Sequence, residues 1–215
     1  MKIKSLQVSE IKTIASTGSG EWWDKEWTTG FYKVKVEGAV WLGYEGFSDD
    51  GQADRRNHGG SDKAVCVYSA EHDNYWRQHL GEFEGGAFGE NLTLSGGVEK
   101  EVCVGDIYRI GKDALVQISQ PRQPCWKLSR RWKIKDLTKR VEVSAYTGFY
   151  FRVLNCGYVE AGQELELVER GQYSVDFCNQ IKYKDKNNRK ALDDLSKYAP
   201  LSANWKDGFV SRLRS

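Results

Sequence analysis

A run of about eighteen uncharged apolar residues, the length a membrane-crossing helix needs, occurs nowhere in this 215-residue chain. Its start, Met1 to Glu10, holds no apolar stretch of signal-peptide length, so a soluble cytoplasmic protein is expected. The five cysteines, Cys66, Cys103, Cys125, Cys156 and Cys178, are odd in number and show no two-residue spacing. Neither a disulfide framework nor a zinc knuckle fits, which leaves reduced thiols. Net charge is small: 32 Lys and Arg stand against 30 Asp and Glu, which argues against nucleic-acid binding through bulk charge. Also missing are a glycine-rich phosphate loop with Lys-Ser/Thr, a dinucleotide fingerprint, HExxH and GxSxG. Common nucleotide, zinc-protease and serine-hydrolase chemistries are thereby removed, as is a flavin or nicotinamide fingerprint.

What is present reads as a globular protein, with 40% hydrophobic and 29% charged residues. The eight Trp and eleven Tyr suit cores, interfaces and stacking surfaces alike. From Ile3 to about Val168, short β-like runs are cut by Gly, Asp and Asn at a spacing typical of barrels or sandwiches. Candidate strands are 31–36, 39–44, 64–68, 91–94, 107–110, 114–119, 148–155 and 164–169. One helix interrupts them, with Ser69 as N-cap, Glu71 in the first turn and Gly81 as stop. Its His72 and His79 lack a third ligand and are read as surface or half-buried residues rather than a metal pair. The Gly- and Trp-rich loop from Ser16 to Thr29 is read as a mobile insertion. After Gly171 the pattern turns helical: Ser174 caps a first helix, Pro200 stops a second and Ser202 caps a third. So small a bundle has little core of its own and should dock on the barrel or on another subunit.

Cys125 is the residue that calls for chemistry. It lies in Gln120-Pro121-Arg122-Gln123-Pro124-Cys125-Trp126-Lys127-Leu128, where two prolines remove ladder donors and end the strand at about Gln120. A stiff loop at a strand end is expected to carry the thiol. Between Gln120 and Arg140 the basic residues face only Asp136, and nearby positive charge favours thiolate, the form that attacks electrophiles and ligates metals. Packing is the alternative for a cysteine, and it is the reading for the other four. Two further segments stand at strand entrances. In one, His58-Gly59-Gly60-Ser61-Asp62-Lys63, paired glycines and basic groups would suit an anion, though a solvated turn reads equally well. In the other, Phe88-Gly89-Glu90-Asn91-Leu92-Thr93, the Asn91 amide could read a ring edge or simply open the strand as an Asx turn. Basic and aromatic residues interleaved from Trp126 to Lys135 could serve nucleic acid, yet a charge run in a near-neutral chain reads as a solvated face.

Taken in order with Val104-Gly105-Asp106, these motifs resemble the MOSC domain, the molybdenum cofactor sulfurase C-terminal module. The likeness is strongest to its YiiM-type branch, linked to resistance against 6-N-hydroxylaminopurine and carrying a C-terminal 3-alpha tail. It departs from the family at Ser61, often Pro there, and at Asp49, often Gly. The resemblance implies a mainly β fold, a MOSC β-barrel with a few helices over residues 1–170, then a three-helix tail over 171–215. It implies the molybdenum cofactor as ligand, with Cys125 as catalytic residue and molybdenum ligand or as a persulfide carrier. Carried over by position, Arg122, Lys127, His58 and Lys63 would meet the cofactor's phosphate and pterin oxygens, beside Gly59 and Gly60, with Asp62 and Asn91 orienting neighbours. The activity implied is reduction of a small N-hydroxylated substrate, with electrons from a separate reductase protein, or else sulfur transfer to the cofactor. Family description alone adds pyridoxal phosphate binding. The aromatic surface and small tail fit a homodimer.

Overall fold

Alternating burial along the chain builds the sheet that carries the site. In β11 (Ala114–Pro121), Ala114, Val116 and Ile118 are fully buried, and in β1 (Lys2–Val8) Leu6 and Val8 follow the same spacing after a register shift between Ile3 and Ser5. That is the period-two pattern of strands with one face on a core. The computed structural model describes residues 1–54 and 59–214. Its main sheet has eight strands in the order β14 (Leu165–Glu169), β10 (Ile107–Ile110), β11, β12 (Phe149–Asn155), β7 (Val65–Ser69), β8 (Leu92–Ser95), β1 and β4 (Val34–Lys35). Only the β7–β8 pair is parallel. The sheet curls so far that Ile3 N donates to Gln163 O at 2.9 Å and Leu165 N to Met1 O at 2.9 Å. One end of the strand order thus meets β1, and the expected barrel is formed in this half-closed way. Short strands β2 (Lys12–Ile14) with β3 (Trp27–Thr29), β5 (Val40–Gly43) with β6 (Gly46–Phe47) and β13 (Gly157–Val159), and β9 (Cys103–Val104) with β15 (Tyr173–Ser174) complete the β structure among the described residues.

Ser69 accepts from Glu71 N at 3.3 Å and opens a 3-10 turn that runs into α1 (Asp73–Leu80), which Gly81 ends at φ 76°. Three departures from the expected pattern matter. Strand β11 runs on to Pro121, because by then only β12 remains as ladder partner and the proline sits at an edge. Two helices follow Cys125 where only a charged stretch was read: α2 (Trp126–Trp132) and α3 (Leu137–Ser144). Their stops are Lys133 and Ala145, both in the left-handed region at φ 57° and 61°, so no glycine marks either end. The 16–29 segment, finally, folds around Asp24. Its carboxylate accepts from Thr17 N, Ser19 N and both hydroxyls at 2.7–2.9 Å, and the Thr17 backbone bond leads in holding it well below the usual carboxylate range. Trp27, Phe31, Tyr68, Trp76, Phe88, Leu128, Leu137 and Val141 form a second, aromatic core beneath these helices.

The tail is three helices, α4 (Val175–Tyr183), α5 (Arg189–Lys197) and α6 (Ala203–Arg214). Ser174 caps α4 by accepting from Phe177 N at 3.0 Å, and Ser202 accepts from Trp205 N at 3.5 Å. Val175, Cys178, Leu195, Trp205 and Phe209 belong to the same apolar cluster as Val104, Ile118 and Phe151 of the sheet. The helices therefore dock on the barrel and share its core. Asp106 anchors the approach, fully buried and accepting from Gly171 N at 2.7 Å and Cys103 N at 2.9 Å. No helix among the described residues is long and apolar enough to cross a membrane.

Candidate active site

Cys125 occupies the N-cap position of α2, four residues beyond the end of β11. Strand β11 ends in Pro121, Arg122 N donates to Gly148 O at 3.0 Å, and Cys125 O accepts from Leu128 N at 3.0 Å, so the loop between is pinned at both ends. Its thiol is partly exposed and lines a cleft enclosing about 620 Å³ out to its mouth. Lys63, Asn91, Arg122 and Lys127 line the same cleft, from three segments of the chain.

Arg122 is 4% exposed, yet only one of its terminal nitrogens is accounted for. Nη2 donates to Phe88 O at 2.5 Å, while Nη1 is buried without a hydrogen-bond partner. Burial works against this cation, yet its proton affinity is raised overall, because at the alkaline pH where a guanidinium would titrate Cys66, Tyr150 and Cys125 are ionised beside it, together with Glu90. Arg122 is thus a fixed positive charge with an unspent donor, lying near the Cys125 sulfur. Burial lowers the proton affinity of Lys63, against the opposing pull of Asp62 and Asp54. Among the described residues the cleft carries Lys33, Lys63, Arg122 and Lys127 against Asp50 and Asp54, four cations to two anions. An anionic ligand answers such an excess.

Asn91 is part of the wall's scaffold. Its Oδ1 accepts from Cys66 N at 3.1 Å, and its Nδ2 donates to Asp50 Oδ2 at 2.9 Å and Gln7 O at 3.3 Å. Asp62 turns its carboxylate to Arg152, at 2.7 Å from Nη2, and its carbonyl accepts from Ser119 Oγ. With Gly59 and Gly60 it sits beside the cleft and does not line it. His58 lies outside the described residues. The Ser61–Lys63 turn follows Gly60, at φ 89°, and its first position is one a proline also accepts. Asp49 stands at φ 64°, the backbone a glycine adopts most easily, which Asp tolerates better than most.

Several cleft residues carried no functional signal in the sequence. Lys33 and Asp50 form a buried ion pair, and Asp50 also accepts from Ser9 N at 3.0 Å. Cys66 lines the cleft too, and burial pushes its thiol up to about 11, so it stays neutral. Tyr150 is raised by burial and by Cys66, and its hydroxyl keeps its proton. Glu90 is buried and accepts from Gly86 N at 2.6 Å and Phe88 N at 2.9 Å, fixing the turn that offers Phe88 O to Arg122. His72 instead bonds Glu99 at 2.7 Å, away from this cleft.

The MOSC domain model matches residues 54–166, and the YiiM-like, 3-alpha helix domain matches 174–215. The chain belongs to the MOSC domain family. An uncharacterized protein, YflK, of Bacillus subtilis is 46% identical over 213 residues, 98% of this chain and 93% of that protein. The crystal structure of YiiM from Geobacillus stearothermophilus superposes with a TM-score of 0.82 at 40% identity, covering 99% of this chain and 98% of that one. A protein named "Reductase" from Gibberella moniliformis is 36% identical over 149 residues, 67% of this chain but 26% of that longer protein. The MOSC-matched segment carries Cys125, Arg122, Lys127, Lys63 and Asn91, and the tail match covers all three C-terminal helices.

Proposed function

We propose that this MOSC protein is an oxidoreductase that binds the molybdenum cofactor and reduces N-hydroxylated bases or related N-oxygenated compounds. The observation that carries the reading is the placement of a partly exposed thiol beside a buried arginine with an unspent donor, in a cleft with excess positive charge. This donor set fits a phosphorylated dithiolene cofactor holding a soft metal. A thiolate is a suitable ligand for such a metal, and fixed cations suit phosphate. The fungal relative's printed name, "Reductase", is in keeping with redox chemistry.

In this reading Arg122, Lys127 and Lys63 hold the anionic oxygens, while Asn91 and the Lys33–Asp50 pair keep the wall in register. The Cys125 sulfur is the ligand offered to the metal. When bound, the cofactor would supply a two-electron redox change and an acceptor for oxygen. The overall conversion is R–NHOH + 2 e⁻ + 2 H⁺ → R–NH₂ + H₂O, in which the N–O bond breaks and the oxygen leaves as water. Both electrons come from a separate reductase protein. In the same reading Lys63, whose proton affinity burial lowers, would supply a proton at the cleft wall, and Tyr150 stays a neutral hydrogen-bond donor.

Reconstitution with cofactor and an electron donor, followed by assay of 6-N-hydroxylaminopurine, tests the reading. Turnover in wild type and its loss in Cys125→Ser is expected. A stable sulfur adduct on Cys125 that passes to sulfur-free cofactor, with no N–O reduction, would establish the persulfide-carrier role instead.

A further inference from the structure

The face of the main sheet opposite Leu6 and Val8 is polar at one end. Ser5 and Gln7 of β1 lie on it, Ser5 in register with Thr93 of β8 and Gln7 with Lys35 of β4. Asp73 and Arg77 of α1 and the 83–85 loop close over them, leaving a cleft that encloses about 1090 Å³ out to its mouth. Of its described lining, only Lys33 also lines the cleft of Cys125, where Asp50 holds it.

A sheet face covered in this way is ordinarily apolar, and polar groups buried there cost free energy unless each is bonded. Ser5, Gln7 and Thr93 are all more than nine-tenths buried. Gln7 Nε2 donates to Ser5 Oγ at 2.5 Å and to Thr93 Oγ1 at 3.2 Å, and Thr93 Oγ1 donates to Glu90 Oε1 at 3.0 Å. Gln7 Oε1 is buried without a partner, and Ser5 keeps its own O–H to give. The floor thus joins an open acceptor to a donor. A hydroxyl, which donates and accepts at once, answers both, whereas an ammonium, a donor only, answers one. The rim is cationic: with Lys33 committed to Asp50, the described lining leaves Lys4, Lys35 and Arg77 against Asp73 and Glu84. Asp73 is shared by Lys4 at 3.4 Å and Arg77 at 3.5 Å, and Lys35 meets Glu37, 86% exposed, at 3.0 Å. Exposed pairs of this kind are weak and yield readily to a better-placed anion.

We propose that this cleft is a second binding site, for a small organic anion that carries a hydroxyl group. The hydroxyl meets Gln7 Oε1 and Ser5 Oγ on the floor, and the anionic group lies among Lys4, Lys35 and Arg77 at the rim. The site stands apart from Cys125, and the inference does not depend on what that thiol binds.

The test is isothermal titration calorimetry with glycerol 3-phosphate and with inorganic phosphate, in wild type, Lys35→Ala, Gln7→Met and Ser5→Ala. Glycerol 3-phosphate is expected to bind wild type at least about fivefold more tightly than inorganic phosphate, the advantage a hydroxyl gains by meeting a buried open acceptor. Lys35→Ala, a change at a half-exposed side chain, should weaken both phosphates alike. Gln7→Met should remove the advantage of glycerol 3-phosphate and leave inorganic phosphate unchanged. Ser5→Ala, a smaller change, should reduce that advantage as well, and it reads the same point should Gln7→Met fail to fold. Because the Cys125 cleft is also cation-rich, the titrations are repeated in Arg122→Leu, where the preference for glycerol 3-phosphate should persist. Binding that is lost in Arg122→Leu but untouched in Lys35→Ala, equal affinity for the two phosphates in wild type, or no binding of glycerol 3-phosphate overturns the site.

Discussion

Asn91 and Asp50, 41 residues apart, meet across the cleft wall, with Asn91 Nδ2 donating to Asp50 Oδ2 at 2.9 Å. The same carboxylate holds Lys33, and the same amide's oxygen holds Cys66 N. Asn91→Ala would strand a buried backbone donor and remove a neighbour from a buried ion pair. A loss of about 2–4 kcal/mol is expected in denaturant unfolding. Asn91→Asp keeps the acceptor for Cys66 N but sets a second carboxylate against Asp50, so it should also destabilise at neutral pH, with part of the loss recovered in mild acid.

Thiol reactivity should follow position. Cys125 and Cys156 are partly exposed, whereas Cys66, Cys103 and Cys178 are buried, and burial pushes Cys66 up to about 11 and raises Cys103 and Cys178 as well. Brief alkylation of native protein at pH 7.5 (about a unit below a typical thiol) should modify Cys125 ahead of the three buried thiols, which become labelled only after unfolding. Arg122→Leu should slow the Cys125 reaction by removing the nearby fixed cation. Peptide mapping by mass spectrometry reads both.

Gly105 is where the barrel admits the tail. At φ 94°, its missing Cβ would lie 2.6 Å from Tyr198 Oη and 3.1 Å from Pro200 Cβ. Tyr198 Oη donates to Val104 O and accepts from Gln172 N, each at 2.9 Å. Gly105→Ala should therefore cost at least about 2 kcal/mol through strain and overpacking. Hydrogen exchange should accelerate first in α5, which ends beside Tyr198.

Lys182 should leave a signature in stability against pH. Burial first, and then Arg212, lower its pKa from 10.5 to about 8. Between those values the unfolded chain holds a proton that the folded chain has released, so this residue makes stability rise with pH across that window. Below about 8 it is charged in both states, and the cost of burying it is present in full. Lys182→Met should raise the melting temperature at pH 7, and the advantage should shrink as pH climbs toward 10.5. A gain that does not depend on pH would mean that packing, not charge burial, governs the site.

Local rules in the sequence told most where they had clear markers. The three tail helices were legible because Ser174, Ser202 and Pro200 mark their ends, and α1 because Ser69 and Gly81 do. The loop that presents Cys125 was legible from its prolines. Helices α2 and α3 were not, because left-handed Lys133 and Ala145 end them and because their basic faces hid Leu128, Leu137 and Val141. Lys33 and Asp50 gave no local sign either: each joins the cleft only through the curl of the sheet and partners far along the chain.

The central claim is that the Cys125 sulfur engages molybdenum in the cation-rich cleft. The most direct test is molybdenum analysis, with X-ray absorption at the metal edge, on wild type and Cys125→Ser purified from a host that makes the cofactor. Near-stoichiometric metal with a cysteine sulfur in its coordination sphere is expected in wild type, and loss of that sulfur, with or without the metal, in the variant. Identical metal content and identical spectra in the two proteins, or no molybdenum in either, would contradict it.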